Sequence, residues 1–84
     1  MQYTPAKVYT VMRMDKTVSL VLDQYLETIN VTRYELAKRT GIKYQTIDNY
    51  YKNKIVRYDR EILLKICLAL QCEVGDIVKI ISIN

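Results

Sequence analysis

One glycine constrains this chain more than any other residue. Gly41 closes a segment opened by Thr32-Arg33-Tyr34-Glu35, and after Ile42 and Lys43 comes a second segment, Tyr44 to Lys52, whose dry side is marked by Ile47 and Tyr50. In the first segment the Thr hydroxyl and Glu carboxylate are spaced to satisfy each other's free backbone N–H as a capping box. Glycine adopts the left-handed backbone past a helix end at least cost. The spacing therefore predicts a short helix over 33–40, a tight turn and a further helix over 44–52. Ala37 is small where the two cross, and Leu36, Ile42, Ile47 and Tyr50 are the apolar residues that lock their angle. At about 100° per residue, Tyr44, Gln45, Asp48 and Asn49 span an arc of roughly 140° opposite Ile47 and Tyr50. The second helix thus offers one polar edge outward.

Other elements follow from the same periodicity. Val18, Val21, Leu22, Tyr25, Leu26 and Ile29 recur at three- and four-residue steps, predicting a first helix over 17–29 that Asn30-Val31 ends. Asp59 stands where it can cap a fourth helix, whose stripe is Ile62, Leu63, Ile66, Cys67 and Leu70 and whose end falls near Leu70. A last turn is expected over 74–78, weakened by Gly75. Val8 to Met14 and Val78 to Ile83 are rich in β-branched residues and read as short strands. Antiparallel pairing of the two would seal the base of the helical core, the alternative being pairing with a second subunit. The expected architecture is all-α, five helices with short N- and C-terminal strands. It forms a single domain over 1–84, with 1–15 as an extension, 17–78 as the helical core and 79–84 as a tail.

Composition narrows the chemistry. With 84 residues there is room for one domain and none for a cofactor fold. There is no His, and the two cysteines are Cys67 and Cys72, which leaves too few ligands for structural zinc and no imidazole for acid–base work. No Gly-rich phosphate loop or clustered carboxylate pair is present, so neither a cofactor, a metal nor an enzymatic activity is expected, and no small-molecule ligand is evident. Met1-Gln2-Tyr3-Thr4-Pro5 lacks a charged-then-apolar signal, and no apolar run approaches the roughly 18 residues that span a bilayer. The expectation is a cytoplasmic protein with reduced thiols and no membrane partner. The net charge is +4, but residues 33–60 hold eight basic residues against three acidic ones, a local +5. A positive central third is what a stretch that meets a polyanion should show, and by charge alone a solvated basic face reads equally well.

The small residue at Ala37, the glycine four further on and the apolar Ile47 six beyond that form a helix-turn-helix pattern, with further helices on either side. Over about residues 17–78 it resembles the Cro and phage-repressor (XRE) family of helix-turn-helix proteins. That resemblance implies a five-helix lambda-repressor-like domain and sequence-specific binding to double-stranded DNA by a transcriptional regulator, usually as a dimer on a two-fold-symmetric site. Two positions depart from the family pattern. Arg33 stands where Gln often begins helix two, and Asn53 takes the Gly position of Asn-Gly-Lys after helix three. Asn tolerates positive φ nearly as well, so the turn survives.

Roles follow as expectations. Gln45 and Asn49 are the best base readers, because a carboxamide pairs two-handedly with the N6 and N7 edge of adenine. Lys43 reaches guanine or phosphate, and Tyr44 a thymine methyl or phosphate. Arg33, Thr46, Lys52, Asn53, Lys54 and Arg57 are assigned to the DNA backbone, where they set register and salt dependence. Asp48 accepts from cytosine N4, repels a wrong approach, or pairs with Lys52 at i+4. Tyr50 and Tyr51 read as core and rim packing, and Cys67 as a small buried apolar residue. The leading reading is a homodimeric repressor, since 84 residues leave no room for a ligand-sensing domain. The alternative is a protein-interaction or antitoxin-like module on the same fold, favoured by the first 15 residues and the strand-like tail.

Overall fold

Six aliphatic side chains, Leu22, Leu26, Leu36, Ile47, Ile66 and Ile77, are withdrawn from solvent, and all five helices contribute to them. The computed structural model describes residues 15–82. In chain order these form β1 (Lys16–Leu20), α1 (Leu22–Ile29), α2 (Arg33–Thr40), α3 (Tyr44–Tyr51), α4 (Arg60–Leu70), α5 (Val74–Ile77) and β2 (Val78–Ser82). Helices α1 to α3 have 8 residues each, too few to persist alone in water, so the shared core holds them. Leu20, Tyr50, Cys67 and Leu70 complete it.

Local chemistry sets most of the helix ends. Thr32 Oγ1 accepts from Glu35 N at 3.0 Å to start α2, and Gly41, at φ 73°, closes it by donating its N–H to Ala37 O at 2.9 Å. The capping box is only half made. The Glu35 carboxylate turns away to Arg39, 2.8 Å off and four residues on, where both side chains stay in water. Asp59 Oδ1 accepts from Glu61 N at 2.8 Å and Ile62 N at 3.2 Å, beginning α4 as its position foretold. Left-handed Asn30 and Gln71 end α1 and α4.

The first helix starts later than its periodicity suggests. Residues 17–20 of the predicted 17–29 helix belong instead to strand β1, antiparallel to β2 with Lys16 opposite Ser82 and Leu20 opposite Val78. Partners distant in sequence decide this. The strand's backbone is satisfied by β2, Val21 N donates to Ile77 O at 2.7 Å, and Leu20 N donates to Asn53 Oδ1 at 3.2 Å. Val18 consequently leaves the apolar stripe and faces out beside Ile80. An N-terminal and a C-terminal strand do pair, with Lys16–Leu20 as the N-terminal member. The strand expected over Val8 to Met14 lies outside the described residues.

Asn53 ties this sheet to the helices. Its backbone is left-handed, at φ 58°, as its place after α3 requires, and its Nδ2 donates to Ser19 Oγ at 3.0 Å while Oδ1 takes the Leu20 N–H. Asn53→Gly keeps the backbone but loses both bonds and is expected to cost about 1–2 kcal/mol. Asn53→Ala adds left-handed strain and should cost about 1 kcal/mol more. Urea unfolding of the two variants checks the order, and equal midpoints would refute it.

Candidate nucleic-acid interface

Helix α3 is fastened on one side only. Ile47 is fully buried, and Tyr50 is buried with its hydroxyl accepting from Asp59 N at 3.0 Å, which links α3 to the start of α4. The turn before it is stiffened by Thr40, whose Oγ1 donates to Leu36 O at 2.9 Å and accepts from Ile42 N at 3.2 Å. Tyr44 and Gln45 are left exposed, Thr46 and Asn49 half-buried, and Lys43 exposed at the N-cap. Gln45 Nε2 donates to Asn49 Oδ1 at 3.1 Å. This bond aligns two carboxamides along the free edge with one carbonyl and one amino group still to offer.

Asp48 does not join that edge. It is buried at 8% exposure, with Arg33 Nη1 at 2.5 Å from Oδ1 and Lys52 Nζ at 3.1 Å from Oδ2, so it faces α2 and not the solvent. The pairing with Lys52 was readable from i+4 spacing; the pairing with Arg33, on another helix, was not. The Arg33 guanidinium also lies 4.4 Å from the Tyr51 ring centroid, a cation–π contact that explains why Tyr51 stays at the rim. Burial pushes the Asp48 carboxyl up, but hydrogen bonds from Lys52 and Arg33 outweigh it and hold the group below the usual carboxylate range. The bond to Asp48 raises Arg33 in turn.

The ten predicted contact residues therefore sort into two groups. Tyr44, Gln45 and Asn49 lie on α3, Lys43 at its N-cap, and Lys54 and Arg57 in the loop that follows it, with Lys43, Lys54 and Arg57 exposed and free of ion pairs among the described residues. Arg33 and Lys52 share Asp48, Asn53 is bonded to β1, and Thr46 is half covered. Elsewhere in the basic third, Arg39 is paired with Glu35 and Lys38 lies 5.9 Å from the Tyr34 ring centroid. What the sequence reading missed is this division, because it depends on which cations meet an anion in space.

No group of three or more His, Cys, Asp or Glu residues that could hold a metal ion occurs among the described residues. No helix among them is long and apolar enough to cross a membrane. Cys67 is buried and Cys72 half-buried, both as free thiols. Burial, with Cys67 beside it, pushes Cys72 up to about 11, and burial also raises Cys67.

A polar helix edge held outward by a second helix, with cations at both ends, defines a helix-turn-helix DNA-binding transcriptional regulator. The chain belongs to the family of the Cro/C1-type HTH DNA-binding domain, which it matches over residues 21–82, α1 through β2. Its fold is similar to the crystal structure of the transcriptional regulator VanUg, with a TM-score of 0.64, 26% sequence identity, and coverage of 84% of this chain and 93% of that one. A search of curated proteins gives no match.

Two measurements test the site chemistry. Because the folded Asp48 value is depressed, its ion pairs contribute stability that is fully present above the ordinary carboxylate pKa of about 4 and is lost as pH falls through the lower folded value. Urea midpoints taken on acidification should therefore fall more steeply for the wild type than for Asp48→Asn; parallel curves would refute the ion-pair assignment. Alkylation by iodoacetamide at pH 8 should be much slower for Cys72 than for free cysteine, since so little thiolate exists there. A rate equal to that of free cysteine would contradict the raised thiol.

Proposed function

We propose that this protein is a repressor that binds a two-fold-symmetric operator as a homodimer in the cytoplasm and reads bases in the major groove with α3. The observation that carries the reading is the carboxamide pair, Gln45 bonded to Asn49, on the exposed edge of a helix whose opposite face is buried. That bond restricts both side chains before DNA arrives, so little conformational freedom is lost when they meet an adenine edge. Lys43 and Tyr44, at the helix start, extend the contact toward guanine, a thymine methyl or phosphate. Lys54 and Arg57 meet phosphates, because unpaired exposed cations release counterions most fully. Arg33 and Lys52 act on the backbone through whatever donors Asp48 leaves them, and Thr46 approaches it from the helix flank. Asn53 shapes the turn that carries Lys54. Repression follows from occupancy, since a bound dimer excludes polymerase from the same duplex.

Selection from a random duplex pool should return paired half-sites about one helical turn apart. On the selected site, Gln45→Ala or Asn49→Ala should lose about 5- to 150-fold in affinity while random duplex is bound as before. Lys54→Ala and Arg57→Ala should weaken every sequence and each reduce the slope of log affinity against log salt by about 0.9. If all four variants weaken random and selected duplex equally, the division between readers and phosphate contacts is wrong. Affinity without salt dependence would instead favour a protein partner.

A further inference from the structure

Helix α4 carries more apolar surface than the core uses. Ile66, Cys67 and Leu70 are buried, yet Leu64 is 50% exposed and Leu68 67% exposed, with Val74 beside them at 47%. Together they line a surface groove of about 360 Å³ floored by Cys67, with Arg60 at one end and Glu73 at the other. Both charged residues are exposed, and neither makes an ion pair among the described residues.

We propose that this ridge is the surface through which two copies of the chain associate; the inference deepens the homodimer reading above. Arg60, Leu64 and Leu68 recur at four-residue steps, the row of side chains that packs into the matching groove of another helix. A two-fold interface is self-complementary, so whatever one end of the row carries must suit the other end of its copy. An antiparallel crossing centred between Leu64 and Leu68 sets Leu64 of one copy against Leu68 of the other. It also brings Arg60 to the end where the second copy holds Cys72 and Glu73. The charges are opposite, as closure demands. A purely apolar ligand would leave Arg60 without an ionic partner. The three aliphatic side chains form the dry centre and Arg60 and Glu73 the polar rim of such an interface.

Sedimentation equilibrium of the full chain without DNA tests this. The wild type should sediment at twice the mass of one chain, and Leu68→Glu, with its helical circular dichroism intact, should weaken association at least 100-fold. Arg60→Glu and Glu73→Arg, each like-charged across the two-fold axis, should each weaken self-association at least 10-fold. An equimolar mixture of those two variants should recover the dimer, because the heterodimer restores two opposite pairs; misfolded chains would not do so. A wild type that remains monomeric into the high micromolar range, a folded Leu68→Glu that still dimerises, or a mixture no tighter than its components would each overturn the proposal. DNA plays no part in the measurement. A dimer that binds no duplex would remove the operator reading and leave the interface, whereas a monomer that reads DNA would do the reverse.

Discussion

Everything the interface does depends on the burial of one side of α3. Ile47 and Tyr50 sink into a core supplied by every other helix, and the Tyr50 hydroxyl meets the backbone at Asp59. Without that anchorage an eight-residue helix would unravel, and its polar edge would have no defined direction. Burial fixes rotation about the helix axis as well as position, which is why Gln45 and Asn49 emerge side by side. The Gly41 turn serves the same end by letting α2 and α3 meet at Leu36 and Ile47 without strain.

Electrostatics acts on that frame selectively. The basic middle third counts eight cations in sequence, but Asp48 draws Arg33 and Lys52 together beneath α3 and Glu35 holds Arg39. Such an arrangement does two things. It braces α3 against α2 through a partly shielded ion pair backed by Tyr51, and it leaves Lys43 before α3 and Lys54 and Arg57 in the loop after it among the cations without an ion pair in the described residues. A charge buried without both partners would be costly, so Asp48 depends on its neighbours as much as they are positioned by it.

The small sheet contributes at a distance. Asn53 bonds to Ser19 and Leu20 while holding a left-handed backbone, so the strand pair and the end of α3 are one connected unit. The Asn53 carboxamide is thereby engaged by the strand, and the loop that bears Lys54 and Arg57 starts from a fixed point. The outer faces of the strand pair and of α4 expose apolar side chains, at Val18 and Ile80 and at Leu64 and Leu68, beyond what the single-chain core covers.

Sequence alone determined the elements whose signals are local: the Thr32 and Asp59 caps, the glycine past α2, the Ile47 and Tyr50 face, and with them the helix-turn-helix, to which the family resemblance added the turn at Asn53 and the DNA-binding class. These depend on hydrogen bonds and steric preferences within a few residues, so the order of residues is enough. Tertiary structure decided the rest. Residues 17–20 became part of a strand because β2 and Asn53 satisfy their backbone, although Val18 continues the apolar stripe of α1. Asp48 left the polar edge because Arg33, fifteen residues earlier, waited on the facing helix. In both cases the deciding partner is remote in the chain, and periodicity carries no information about which distant groups folding will bring within hydrogen-bonding distance.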